Sequence, residues 1–149
     1  MKFHPDSRKF SRAYRKFLYL PMGRLVLLLT TTGRKTGRAH TIRLQYEYIG
    51  GKYIVAAADG ARADWYRNLL QEPRVEIQVG RHTFQALAAA ENDPGAVRDF
   101  LEYRLKKHPL MIRAILRMDG FKGQIDRAAL ARYAASIRMV VLTPTAPRA

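Results

Sequence analysis

The sequence predicts a mainly β protein with helices, an α+β fold built as a small antiparallel barrel decorated by helices. Two observations carry this. Six or so strand-like segments follow one another in hairpins, two of them joined by the tight turns Gly50-Gly51 and Gly80-Arg81. Strands do not alternate with crossover helices, which argues against a doubly wound parallel sheet.

In chain order, Ser7 to Leu20 sets Phe10, Tyr14, Phe17, Leu18 and Tyr19 among five cations, ended by Pro21 and Gly23. This spacing fits a basic amphipathic helix, either packed on the domain with a solvated basic face or lying on a membrane surface. Arg24 to Thr32 is the first strand, read as buried on both faces because alternation is absent. His40 to Ile49 alternates Ile42, Leu44, Tyr46 and Tyr48 with Thr41, Arg43, Gln45 and Glu47, the pattern of a strand buried on one face. Lys52 to Ala58 completes that hairpin. Asp64 to Gln71 is a short helix with Asp64 as its N-cap, closed before Pro73. Arg74 to Val79 and His82 to Ala90 form the second hairpin. Asp93-Pro94 opens a helix reaching His108. Leu110 to Met118 and Asp126 to Ser136 are helical, Ile137 to Thr143 is the last strand, and Pro144 to Ala149 reads as a disordered tail.

The 149 residues fit one domain with a full core. Lys and Arg number 27 against 12 Asp and Glu, a formal charge of +15. Such a field attracts polyanions: nucleic acid, an anionic membrane surface or a multiply charged cofactor. There is no cysteine, which removes disulfides, thiolate metal sites and cysteine nucleophiles. The four histidines fall in four elements without metal-ligand spacing, so no metal site is expected. No apolar run approaches the roughly 18 residues of a membrane span, and the first residues lack a signal-peptide core. The expectation is a soluble cytoplasmic protein, with peripheral contact to the inner membrane face through the N-terminal helix as an option.

The most informative stretch is Arg24 to Arg38. Its apolar run passes into three threonines and then into Gly33-Arg-Lys-Thr-Gly37. Exposed backbone N–H groups and Arg/Lys side chains in a glycine-bounded loop suit an anion, phosphate above all. The loop is no Walker motif, since Arg38 and a strand follow the second glycine. By itself it reads equally as a solvated hairpin loop.

Later segments change that reading. After the loop come Val55-Ala-Ala-Ala-Asp-Gly60, Trp65-Tyr-Arg-Asn-Leu69 and Pro73-Arg-Val-Glu-Ile77. This order resembles the deazaflavin (coenzyme F420)-dependent nitroreductase and quinone reductase family, within the split β-barrel flavin-binding superfamily. That family carries L-L-T-T-x-G-R-K-[ST]-G, V-A-S-x-G-G, W-Y-x-N-L and P-x-V-x-[IV]. The resemblance covers roughly residues 24 to 84, with a weaker echo at Val140 to Pro144.

It implies a split antiparallel β-barrel, FMN-binding-like, over residues 24–143, preceded by the helix in 1–23 and followed by the tail 144–149. It also implies a reductase that passes a hydride from reduced F420 to a quinone-like or nitroaromatic acceptor. F420 bears a phosphate and an oligoglutamate tail, which gives the positive charge a use without nucleic acid. On matching positions, Arg34, Lys35 and Arg38 would meet phosphate or tail carboxylates, and the amides of Thr36 and Gly37 would complete the cradle. Ala56, Ala57 and Ala58 would run along the deazaflavin ring, with Trp65 and Asn68 close to it. No catalytic side chain is required, because the cofactor carries the hydride. Ala57 stands where the family pattern has serine, and Ala61 where it has the second glycine. The lost hydroxyl counts against nitroreduction. Ile42-Arg43-Leu44 stands where many relatives have Thr-Pro-Leu. By residue type, Tyr103, His108, Phe121 and Tyr133 in the C-terminal helices are candidates for the substrate side. FMN is the alternative cofactor for the same loop, and a non-catalytic module for a hydrophobic ligand is the alternative function. A second copy of the chain remains an option as partner.

Overall fold

One strand turns a corner and thereby serves both edges of the sheet. A computed structural model of the chain describes residues 26–57, 60–118 and 122–145. The expected N-terminal helix, Ala58, Phe121 and residues 146–149 lie outside these. Seven strands form one antiparallel sheet: β1 Val26–Thr32, β2 Ala39–Gln45, β3 Glu47–Ile49, β4 Lys52–Ala57, β5 Arg74–Val79, β6 His82–Glu91 and β7 Arg138–Pro144. Their spatial order is β2-β1-β5-β6-β7-β4-β3. The two outermost strands, β2 and β3, are separated in sequence by Tyr46 alone. The segment expected as one strand over 40–49 therefore breaks at Tyr46. Its first part pairs with β1 (Leu27↔Leu44) and its second with β4 (Glu47↔Ile54). The sheet curls into a barrel closed through a bent strand.

Among the described residues four α-helices accompany it: α1 Asp64–Gln71, α2 Pro94–Lys107, α3 Pro109–Met118 and α4 Arg127–Ala134. A 3-10 turn, Gly60–Arg62, precedes α1. The barrel interior holds Leu27, Leu29, Leu44, Val55, Ile77, Val140 and Leu142, together with Trp65, Tyr66 and Leu69 of α1. Tyr46, Tyr53 and Phe84 join that core at the bend, with ring centroids 5.5 Å and 5.4 Å from that of Tyr53. A second core gathers Val97, Phe100 and Leu101 of α2, Met111, Ile112 and Leu116 of α3, and Leu130 and Ala134 of α4. These helices cover the outer face of the sheet at Ile54, Ala56 and Met139. The period of two on β4 thus feeds both cores, with Tyr53, Val55 and Ala57 inward and Ile54 and Ala56 outward.

Three expectations need correction. β1 is fully buried on one face only; Leu27, Leu29 and Thr31 point inward while Val26, Leu28 and Thr30 are half-covered, since the helical layer lies on β4 and β7 instead. Asp64 is the first residue of α1, with Ala63 at the cap position and no capping side chain. The polar face of the bent strand is solvated only in its first half: Thr41 and Arg43 are exposed, but Gln45 and Glu47 are buried beneath the C-terminal end of α2. By contrast, Asp93 and Asp126 do cap α2 and α4, accepting from the N–H of Ala96 (3.2 Å) and Ala129 (2.8 Å). The Gly50-Gly51 turn has both φ positive, 59° and 80°, as a type I′ hairpin requires.

Glu47 is 1% exposed, and its cost of burial is met by cations from α2. Lys107 Nζ donates to Oε2 at 3.1 Å, Arg104 Nε lies 3.5 Å and His108 Nε2 3.2 Å from Oε1. The Glu47 carboxylate in turn raises the Lys107 ammonium above the usual lysine range. Arg104 also donates to Gln45 Oε1 at 2.8 Å. The pair Gln45 and Glu47 pins the helical layer to the bend. Replacing Glu47 with Ala leaves those cations without their buried counter-charge. Denaturant unfolding of Glu47→Ala is expected to lose about 3 kcal/mol, the scale of breaking a buried pair from one side.

After α1, Glu72 forms a fork with Arg74, whose Nε and Nη2 donate at 2.8 Å and 3.1 Å. That guanidinium, helped by the Arg74 backbone N–H, holds the Glu72 carboxyl down at about 2 from an ordinary 4.5. A depressed carboxyl stabilises the fold above pH 4.5 and loses that contribution as pH falls towards 2. Carboxyl NMR titration should give Glu72 a midpoint near 2 that returns towards 4.5 in Arg74→Ala.

Candidate functional site

The loop between β1 and β2 is shaped by its own backbone. Gly33 N–H donates to the Arg38 carbonyl (2.7 Å), and Gly37 N–H donates to the Gly33 carbonyl (2.8 Å). Gly37 adopts φ +71°, a conformation that favours glycine. At Gly33 a Cβ would lie 2.7 Å from His40 Nε2 and 3.1 Å from the Arg38 carbonyl oxygen, so a larger residue would have to displace the exposed His40 ring. The Arg38 N–H donates to Thr36 Oγ1 at 3.2 Å.

The loop is fastened to α1 through one buried amide. Asn68 Oδ1 accepts from the Arg34 backbone N–H (3.2 Å) and from Arg34 Nη1 (2.8 Å). Asn68 Nδ2 donates to Thr31 Oγ1 at 3.3 Å. Arg34 Nη1 reaches the Asp64 carbonyl (3.4 Å), and Nη2 pairs with the Asp64 carboxylate at 3.1 Å. Asp64 and Asn68 stand four residues apart and so share one face of α1. Asn68 is 4% exposed, and both ends of its amide are satisfied.

This network divides the expected anion-binding residues. Arg34 turns its guanidinium to α1, and only 16% of its side chain is exposed. The Gly37 N–H is committed to the turn. Among the described residues, the loop N–H groups left without a partner are those of Lys35 and Thr36. The side chains of Lys35 and Arg38 are exposed beside them. Two such amides and two exposed cations on one turn are the kind of donor set that oxygen anions take.

The end of β4 comes to the same region. β3 pairs with β4 only as far as Ile54, so Val55, Ala56 and Ala57 are paired with β7 alone. Here the barrel is split, and one edge of β4 has no strand partner, although Val55 and Ala57 are buried. The chain then turns at Gly60, whose φ is +61° and whose Cβ position lies 2.7 Å from the Ser136 carbonyl. Four residues after Gly60 α1 begins, with Asp64 already on Arg34. The split edge, the 3-10 turn, α1 and the cationic loop thus lie at one end of the barrel.

Trp65 is 8% exposed and belongs to the barrel core, its ring edge-on to Tyr66 at 6.3 Å. Asn68 contacts the loop as described. The two described substrate-side tyrosines lie apart. Tyr133 is half-buried, and its carbonyl accepts from the Ser136 N–H and Oγ, next to Gly60. Tyr103 is exposed beside Lys107 at the Glu47 end, its Oη 3.5 Å from Nζ. From Ile54, opposite Glu47, to Ala57 is about 10 Å of strand. His108 is engaged with Glu47. Sequence reasoning missed Thr31, Asp64 as a partner of the loop, and Ser136. The i, i+4 spacing of Asp64 and Asn68 was the one available signal. Among the described residues, no group of three metal-ligating side chains comes together.

The sequence model described as F420H(2)-dependent quinone reductase matches residues 7–109. An F420H(2)-dependent quinone reductase of Mycobacterium tuberculosis is 39% identical over 77 residues, covering 48% of this chain and 52% of the relative. The chain thus aligns with about half the length of the curated relatives it matches. Among solved structures, an F420-H2 dependent reductase superposes with TM-score 0.54 at 20% identity, covering 80% of this chain and 94% of that one. The heme storage protein HutZ of Vibrio cholerae superposes with TM-score 0.59 at 17% identity, covering 95% and 92%. Both likenesses support the fold, a split antiparallel β-barrel with helices. On the match over residues 7–109, the chain belongs to the F420H(2)-dependent quinone reductase family.

Proposed function

We propose that the protein is a cytoplasmic oxidoreductase that binds reduced F420 and reduces a quinone-like acceptor. The observation that carries this reading is the loop Gly33–Arg38, with free N–H groups at Lys35 and Thr36 and exposed cations at Lys35 and Arg38, held beside the unpaired edge of β4. Family membership supplies the cofactor, a ring system with a phosphate and a carboxylate-rich tail. The donor set suits such a group: amides and ammonium or guanidinium groups that take oxygen anions.

In this reading Lys35, Arg38 and the two free amides hold the phosphate and tail carboxylates. Arg34 acts at one remove, placing the loop through Asn68 and Asp64. The backbone of Val55 to Ala57 orients the ring, since a strand edge offers donors and acceptors in fixed alternation. Ala57 presents only a methyl group and is turned into the core, so no hydroxyl stands there for a nitro oxygen. That favours a quinone over a nitroaromatic acceptor. The cofactor supplies the hydride. The chain's task is to place the reacting carbon against the acceptor and to keep water away.

Lys35→Ala with Arg38→Ala is expected to weaken F420 binding by about 2–4 kcal/mol, the scale of lost charge-assisted hydrogen bonds. Its unfolding midpoint should stay unchanged, because both side chains are exposed. Fluorescence titration of F420 against the apo protein, with FMN in parallel, checks this. Unaltered F420 affinity, or FMN binding without F420 binding, would overturn the assignment.

Asn68→Ala should behave differently. It leaves the Arg34 N–H and guanidinium without their shared acceptor, so stability is expected to fall by about 1–3 kcal/mol and F420 affinity with it. Asn68→Asp keeps the acceptor and should restore part of both, by melting temperature and titration.

A further inference from the structure

Among the described residues four arginines are half-buried: Arg34, Arg98, Arg104 and Arg138. Three of them meet an acid, Arg34 with Asp64, Arg98 with Asp99 and Arg104 with Glu47. Arg138 does not. Among the described residues its guanidinium has one partner, the Ile137 carbonyl, to which Nη1 donates at 3.2 Å. A guanidinium carries several N–H donors in a rigid fork, and the rest of this fork is left for another oxygen. A cation drawn partly out of water without a counter-charge carries a desolvation cost, which an oxygen ligand would offset.

The strand sets this group at the barrel end that holds the cationic loop. Arg138 opens β7 and pairs with Ala57, the last residue of β4. Ile137 and Met139 belong to the helical core, while Val140 shares the barrel core with Ala57. By the period of two, Arg138 leaves its strand on the barrel side, the side of the Ala57 methyl. Two residues upstream, the Ser136 carbonyl lies 2.7 Å from where a Cβ of Gly60 would be, so the Gly60–Arg62 turn rests against the start of β7. Ala57 offers no hydroxyl to a ligand oxygen, and its cross-strand partner is an arginine whose fork is open. Arg138 stands one strand over from the edge of β4, about 5 Å, within reach of a molecule stacked on a ring held there.

We infer that Arg138 binds a carbonyl oxygen of the acceptor and stabilises the negative charge which that oxygen gains on reduction. The inference rests on the reading that the loop Gly33–Arg38 and the edge of β4 hold F420. In that reaction a quinone takes up a hydride as the donor C–H bond of the reduced cofactor breaks. An O–H bond forms at one carbonyl, and the two electrons leave the other oxygen as the anion. The proton shed by the oxidised cofactor completes the hydroquinone through water. A fixed guanidinium at the second oxygen favours this step, because the charge it meets develops only as the hydride moves.

Arg138→Ala and Arg138→Lys test the assignment, with reduced F420 as donor and menadione as acceptor. In Arg138→Ala kcat is expected to fall about a hundredfold, the scale of removing one donor to a developing oxyanion, with KM changed less than about threefold. Arg138→Lys keeps the charge and should recover part of the loss. Calorimetric titration gives a readout apart from turnover: a hydroxynaphthoquinone, ionised at neutral pH, should bind the oxidised-F420 complex about tenfold more weakly in Arg138→Ala. F420 affinity by fluorescence and the melting temperature should stay at wild-type values; Arg138→Gln serves if Arg138→Ala does not fold. Wild-type kcat together with unchanged hydroxynaphthoquinone affinity in Arg138→Ala would overturn the acceptor role and leave the F420 reading standing. A drop in F420 affinity as large as the drop in kcat would also overturn it, by assigning Arg138 to the cofactor. Wild-type protein that binds no F420 would overturn both.

Discussion

The geometry of this protein follows from one constraint: both edges of the sheet belong to a single bent segment, residues 39–49. Closing a sheet removes its exposed edges, but β1 and β4 diverge and one strand must leave the first to reach the second. The crossing happens at Tyr46. Because β3 is only three residues long, its pairing with β4 stops at Ile54. The closure is therefore incomplete by construction, and Val55 to Ala57 lack a strand on one side. The edge without a strand partner is a consequence of how the barrel closes. The same bend forces Gln45 and Glu47 under α2, which explains why polar side chains lie beneath the helical layer.

Two buried polar groups then do comparable jobs at opposite ends. Asn68 fixes the cationic loop to α1, and Glu47 fixes α2 to the bend. Each is surrounded by arginine or lysine drawn from a distant part of the sequence. A neutral amide at the loop end satisfies Arg34 at low desolvation cost, since it brings no net charge. At the bend a full carboxylate is buried, and it needs several cations to hold it. Loop position is thereby tied to the barrel core through Asn68 and Thr31, while Lys35 and Arg38 stay free to meet a ligand.

Local chemistry made much of this legible beforehand. Gly50-Gly51 announces a type I′ hairpin, Asp93-Pro94 and Asp126 announce helix starts, and α1 and β5 keep the expected bounds. The anion-suited loop could be found from its glycines and cations. Its internal division could not, because Arg34 looks like its neighbours and its acceptor lies 34 residues away. The alternation of 40–49 read as one wet face, since nothing local says that α2 returns to cover Gln45 and Glu47. Asp64 looked like a cap, yet Ala63 takes that position and Asp64 turns to Arg34. Every one of these differences involves a partner far away in sequence.

The large positive charge becomes intelligible once the acidic residues are followed. Each acidic residue among the described ones has a local partner: Glu47, Asp64, Glu72, Asp99 and Glu102 pair with cations, Asp93 and Asp126 cap helices, and Glu76 and Glu91 accept from Gln85 and from the Asp93 N–H. The acids are thus committed to caps, strand ends and ion pairs, even where, as at Asp64 and Asp99, the side chain is exposed. Lysine and arginine outnumber aspartate and glutamate 27 to 12, so the excess of cations falls outside these pairings. The loop Gly33–Arg38 is one such region. There the cations stand beside backbone N–H groups without a partner among the described residues, which suits a discrete oxygen anion. Charge alone would not mark the loop out; the backbone groups beside it do.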